Sequence, residues 1–280
     1  MNNSTGNFTS PETSTNATTQ SFGFVEILEL CVYSISFLVG VPTHSYIIWL
    51  IITGAGSGVA SEFFILNLSV SEAGFYMNCL NFVLSEWFAF ILQFKLFLAG
   101  LITTGRPLFQ CLMCVERYLA VVHPVTFLKY KPLRYRVICS TAAWIITLGS
   151  CLCCMYTINP RDTLHMWFLS VQFLLFLSIQ LFCLVAVLRA LKQSGPGERG
   201  REREEENHMK RRAFSLILIN TMSTVITYVP YCIAGFFAIV RKNLNSAYWL
   251  PGLVCYVLAG FVQPLLYLHR TGKLSCPCLL

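Results

Sequence analysis

The sequence predicts an all-α membrane protein: a bundle of seven transmembrane helices with its N-terminus outside and its C-terminus inside. Three observations carry this. Charged residues make up 12% of the 280-residue chain and hydrophobic residues 55%, whereas an ordinary soluble domain carries roughly 25% charge. The apolar residues gather in seven blocks, near 25–52, 63–85, 88–120, 137–158, 166–190, 213–240 and 247–268, each near the length a helix needs to cross a bilayer. None of the blocks shows the short alternating segments of transmembrane strands.

Residues 1–24 precede the first block. They are polar, with glycosylation sequons at Asn2, Asn3, Asn7 and Asn16. Several acceptor sites in so short a stretch suit an extracellular, sugar-bearing, disordered tail. The stretch lacks the basic start and apolar core of a signal peptide, so the first span is expected to serve as the insertion signal. Basic residues give the orientation, since they concentrate in cytoplasmic loops. With the N-terminus outside, the inner loops and tail hold 14 of the 20 Lys and Arg residues and the outer loops hold 3. The formal charge of +7 is then a topology signal and points to no nucleic-acid partner. A single membrane domain over 25–270 leaves a short cytoplasmic tail at 271–280. Its charged cytoplasmic loop, 191–212, begins with the helix breaker Gly195-Pro196-Gly197 and continues as an Arg/Glu run. That run either extends the sixth helix through close ion pairs or forms a solvated tether.

The second and third spans each hold one charge at membrane depth. Charges there are rare, face the bundle interior and have a partner. Glu72 lies ten residues from Glu62, which marks the inner end of span two, or about 15 Å of helix. Arg106 lies eleven residues from Arg117, which marks the inner end of span three, or about 16 Å. The shared depth predicts a buried Glu72–Arg106 ion pair; the alternative is an arginine facing water in a central cavity. Pro107, Pro230 and Pro264 each remove a helix hydrogen bond and give their spans potential hinges. Of the 13 cysteines, eleven fall in or beside spans and suit small apolar packing. Cys276 and Cys278 are candidates for palmitoylation near the membrane lipid. No cluster has metal-ligand spacing, no catalytic Ser/His/Asp set is visible, and neither an enzyme nor a cofactor is expected.

Span three ends in "CVERYLAVVHPVTFLKYKP". Glu116-Arg117-Tyr118 resembles the acidic-Arg-Tyr triplet of the rhodopsin-like (class A) G-protein-coupled receptors, with His123-Pro124 as its usual follow-on. Asn67-Leu68-Ser69 with Glu72 resembles the family's helix-two motif, Trp144 its helix-four tryptophan, and Pro230 its helix-six proline. Gln263 to Tyr267, "QPLLY", with Pro264 and Tyr267, resembles its helix-seven motif. The matches fall in order across residues 25–270. The resemblance implies a multi-pass plasma-membrane receptor whose extracellular ligand shifts a two-state equilibrium. Helix rearrangement around Arg117, through Glu116, Tyr118, Tyr228, Pro230, Pro264 and Tyr267, would open a crevice for a heterotrimeric G protein.

Departures from the pattern matter as much. Family members usually carry Asp where Glu72 stands and a small polar residue where Arg106 stands, and these help hold a sodium ion. Here the guanidinium takes that space, which implies signalling insensitive to sodium. Leu92 replaces the cysteine of the family's outer disulfide, and the loop "NPRDTLHM" has none. Tyr228 replaces the usual helix-six tryptophan and Thr224 the usual aromatic one turn earlier. Gln263 replaces Asn or Asp. Lys210 stands where many members carry an acid, which leaves Arg117 either Glu116 or no acid to rest on.

Lys95 lies 22 residues above Arg117, about 33 Å along the helix, near the outer mouth. With His165, Tyr228 and Tyr231 it forms the candidate ligand pocket. A small anionic ligand suits that rim; the plainer alternative is that Lys95 snorkels to the membrane interface. Three other functions compete. A retinal-binding light sensor needs a lysine in span seven, and residues 247–268 contain none. A transporter leaves the triplet and proline motifs unexplained. A receptor-shaped protein that does not signal, acting as a scavenger or dimer partner, stays open.

Overall fold

A computed structural model describes residues 23–54, 62–85, 87–88, 90–130, 133–157, 164–192, 200–241 and 249–271. They fold entirely as helices: α1 (Phe24–Ile52), α2 (Phe63–Ser85), α3 (Ile91–Gly100), a π-helical turn (Leu101–Gly105), α4 (Arg106–Val122), α5 (Pro124–Tyr130), α6 (Leu133–Thr157), α7 (Leu164–Lys192), α8 (Gly200–Arg241), α9 (Leu250–Gly260) and α10 (Val262–Arg270). The expected third span is α3, the π turn and α4 run together. The expected seventh is α9 and α10, broken at Phe261. The sequons at Asn2, Asn3, Asn7 and Asn16, the breaker at 195–197, and Cys276 and Cys278 lie outside the described residues.

Among the described residues, six helical stretches are long and apolar enough to cross a membrane: Phe24–Ile52, Ile91–Val122, Leu133–Tyr156, Trp167–Lys192, Lys210–Phe237 and Leu250–His269. The remaining expected span, α2, has 23 residues, about 34 Å of helix, but a more polar composition. Its Ser69, Ser71, Glu72 and Asn78 are buried against the rest of the bundle. The composition of α2 reflects a polar interior face, and its burial comes from neighbouring helices on several sides.

The helices pack as consecutive neighbours, α1 on α2, α2 on α3, α7 on α8 and α8 on α9, with α4 central and touching α2, α7 and α8. Many large apolar side chains point outward, among them Leu38, Trp49, Ile145, Leu174, Phe182 and Leu258, as a lipid-facing surface requires. Over 200–212 the backbone of the Arg/Glu run is helical and continuous with the expected sixth span, so α8 is 42 residues long.

Candidate functional site

The centre of the molecule is set by Pro107. Proline has no N–H, and its ring crowds the carbonyl four residues earlier. The chain resolves this one turn ahead, where residues 101–105 widen into a π turn and the Arg106 N–H reaches Leu101 O, five residues back. Such bulges leave carbonyls off the regular ladder. Ile102 O is one of them, and the Tyr228 hydroxyl of α8 donates to it at 2.7 Å. The two turn threonines are buried, and Thr104 donates to Gln172 Oε1 of α7 at 3.0 Å. The wide turn thus ties the third span to α7 and α8 at its middle.

Arg106 follows that turn. Its guanidinium donates through Nε to Glu72 Oε1 and through Nη2 to Glu72 Oε2, a two-point grip on α2. Nη1 donates to Tyr256 O of α9 at 2.7 Å. The guanidinium carbon lies 3.5 Å from the Tyr256 ring centroid and 5.8 Å from that of Phe75. Arg106 is 1% exposed and Glu72 3%. Planar, forked donors suit a carboxylate and an aromatic face together. The residues brought together here come from α2, α4 and α9, three separate spans.

Gly260 is the floor of this cluster. A Cβ there would press on the Tyr76 hydroxyl and lie 2.8 Å from Arg106 Nη2 and 3.3 Å from Glu72 Oε2. Gly105 does the same work on the other side: a methyl there would run into Ser71 Oγ of α2. Both glycines let backbones close onto the charged pair.

At the far end of α4, the Arg136 guanidinium of α6 donates through Nη2 to Glu116 Oε1, and both side chains are 10% exposed. The partner that the structure gives Glu116 is therefore a residue read from the sequence only as a topology charge. Sequence reasoning offered Arg117 either Glu116 or no acid; in the structure Glu116 Oε1 accepts from Arg136 of α6. Arg117 is partly buried. Tyr118 Oη and His123 Nε2 lie 3.0 Å apart. Trp144 Nε1 donates to Asn67 Oδ1 at 2.8 Å, while Asn67 Nδ2 donates to Phe63 O at 2.7 Å. Tyr267 is buried beside Ile47, Leu50 and Ile51. Pro230 lies within α8, and Pro264 in the first turn of α10.

At the opposite end the candidate pocket residues divide. Lys95 Nζ reaches α2, 3.3 Å from Ser85 Oγ and 3.7 Å from the Phe82 ring centroid. Tyr228 stacks on Phe173 of α7 at 5.9 Å between centroids. Tyr231 packs against Trp249 and Tyr256, at 6.2 and 6.3 Å. His165 is in α7, and its side chain lies outside the described residues. Sequence reasoning missed Tyr256, Gly260 and Arg136.

The family described as "7 transmembrane receptor (rhodopsin family)" matches residues 43–267. The chain is 27% identical over 242 residues to chemokine XC receptor 1 of Mus musculus, covering 80% of this chain and 71% of the relative. It is 26% identical over 224 residues to hydroxycarboxylic acid receptor 2 of Rattus norvegicus, covering 71% and 59%. It is 32% identical over 149 residues to a somatostatin-like receptor of Takifugu rubripes, covering 48% and 50%. The chain thus spans about half to seven-tenths of the length of these relatives.

Proposed function

The chain belongs to the rhodopsin family of seven-transmembrane receptors, and from that premise we propose that it carries an extracellular ligand signal to intracellular G proteins through helix rearrangement around Arg117. It is a multi-pass membrane protein and a receptor, not an enzyme. The observation that supports the Arg117 reading is the pair beside it. Glu116 ties α4 to α6 through Arg136, directly beside Arg117, so a change of contacts at this end of α4 would be felt by both helices. In this reading the N-terminus and Lys95 face outward, Arg117 faces the cytoplasm, and the protein sits in the plasma membrane.

The ligand proposed is a small organic anion. Lys95 supplies the charge, and Tyr231 with the aromatic cluster around it supplies the apolar wall. A relative named for hydroxycarboxylic acids favours this class, while the chemokine-receptor relative favours a protein ligand. The experiment is G-protein dissociation in cells, wild type beside Arg117→Ala at matched surface expression. It is run basally and against a panel of hydroxycarboxylates, other carboxylates, nucleotides and anionic lipids. A response lost in Arg117→Ala supports the coupling, and a hit lost in Lys95→Gln supports the anion. Silence from both forms across all G-protein classes favours the non-signalling scavenger or dimer partner.

A further inference from the structure

Three side chains of α2 lie against a single residue of α3. Asn78, Phe82 and Ser85 follow one another at four and three residues, which puts them on one face of a helix. Asn78 Nδ2 donates to Lys95 O at 3.3 Å. Lys95 Nζ sits 3.7 Å from the Phe82 ring centroid and 3.3 Å from Ser85 Oγ. Lys95 is thus laid along α2, with its backbone at Asn78 and its ammonium at Ser85. The Phe82 ring is itself stacked on Tyr33 of α1, at 3.9 Å between centroids.

Asn78 is 7% exposed. Only its nitrogen can face the Lys95 carbonyl, because that carbonyl accepts and an amide oxygen cannot donate. The contact therefore fixes which end of the amide is which. It leaves Oδ1 as a buried acceptor with no hydrogen-bond partner among the described residues. At membrane depth bulk water does not fill that place, and a bare buried acceptor costs free energy that a donor would recover. Lys95 could donate, but its ammonium is turned to Ser85.

We propose that Asn78 sets the specificity of the ligand site: its Oδ1 accepts from a hydroxyl or amide N–H that the ligand carries besides its anionic group. The inference rests on the reading of Lys95 as the anion's partner, and it narrows that ligand class. Seven residues separate Asn78 from Ser85, about 10 Å along α2, and Lys95 Nζ marks the Ser85 end. Donor and carboxylate therefore stand more than a helical turn apart, with an apolar stretch between them along Phe82. A 2-hydroxy acid holds its two groups too close together to meet both. A medium-chain acid with its hydroxyl at the far end spans them. A site built around an acceptor rejects the analogue without the donor, because the acceptor is then left buried and bare.

The probes are 8-hydroxyoctanoate, octanoate, 8-methoxyoctanoate, 2-hydroxyoctanoate and octane-1,8-diol. Their dissociation constants are measured by calorimetric titration of the full chain in lipid nanodiscs, with empty nanodiscs as the blank. The expected result is that 8-hydroxyoctanoate binds about tenfold tighter, or more, than the other three acids. Asn78→Leu should bring 8-hydroxyoctanoate down to the affinity of octanoate, and Lys95→Gln should weaken every carboxylate alike. Equal affinities of the hydroxy and methoxy acids in the wild type overturn the acceptor role, and that comparison needs no variant to fold. A preference that survives in Asn78→Leu overturns it too, as does a failure of all five probes to bind. Octanoate that binds through Lys95, with no gain from the hydroxyl, overturns the role of Asn78 and leaves the anion reading standing. Diol binding that Asn78→Leu abolishes, with no carboxylate bound, upholds the acceptor and removes the anion reading beneath it.

Discussion

Among the described residues, two arginine–glutamate pairs join spans, and they are built differently. Arg106 and Glu72 meet at the middle of the bundle, 1% and 3% exposed, with two side-chain contacts, a backbone carbonyl and an aromatic face around one guanidinium. Arg136 and Glu116 meet at the end of α4 through a single donor, each 10% exposed. Both charges of the central pair are buried, so removing either would leave the other without its main compensation. The central pair is the more enclosed and the more fully coordinated of the two.

The sharpest way to break that contrast is to remove one charge from each pair. Arg106→Ala leaves the Glu72 carboxylate buried without its cation, at a cost of about 3–5 kcal/mol. The expected outcome is a large loss of surface-expressed protein and of melting temperature in detergent. Replacing both residues together, Glu72→Met with Arg106→Met, removes the desolvation penalty along with the attraction, and should recover most of the stability. If Arg106→Ala melted like wild type, the central pair would have no architectural role.

A smaller effect is expected at Gly260, which touches no charge through a side chain of its own. Gly260→Ala pushes a methyl against the Tyr76 hydroxyl, Arg106 and Glu72. Overpacking of this kind costs about 1–3 kcal/mol. Gly23→Ala, whose added methyl meets nothing, is the control. Equal melting temperatures for the two variants would mean that the cradle relaxes freely.

The contrast between the pairs was only partly legible in the sequence. Seven blocks and an all-helical bundle follow from composition, because lipid leaves a chain few other choices. Glu72 and Arg106 were placed at one depth because rise per residue is the same on both helices, and the counted stretch, 106–117, lies wholly within α4, clear of the π turn. The Tyr256 carbonyl was invisible: an acceptor on the backbone leaves no trace in residue identity. Gly260 was equally silent, since a glycine's reason lies in what surrounds it. Arg136 was counted as one of many cytoplasmic charges, and a count has no direction in it. The polar residues of α8 were visible as interruptions of an apolar block, but their partners come from three other elements, and no periodicity reports a meeting of four helices.

The end pair should matter less to stability and more to signalling. It has one donor and is 10% exposed on each side, so Arg136→Ala and Glu116→Gln should lower the melting temperature less than Arg106→Ala does, though by more than the ~0–1 kcal/mol of a fully exposed pair. Both should shift basal G-protein activation at matched surface expression, because α4 and α6 lose a tie beside Arg117. A melting loss as deep as that of Arg106→Ala would erase the distinction between the pairs.

The smallest expected effect is none at all, and it tests the central pair from the other side. Both Glu72 oxygens already accept from the Arg106 guanidinium, so an added monovalent cation would meet a positive charge where it needs a carboxylate. Exchanging sodium for an organic cation at constant ionic strength keeps the screening of exposed charges the same. Ligand affinity, basal activity and melting temperature of the wild type should then stay where they are. Arg106→Ser supplies the contrast, because it leaves Glu72 in place and opens the space the guanidinium fills. Sodium should raise the melting temperature of that variant by binding its folded form. Sodium sensitivity in the wild type, or none in Arg106→Ser, would show that the guanidinium is not acting as the site's own cation.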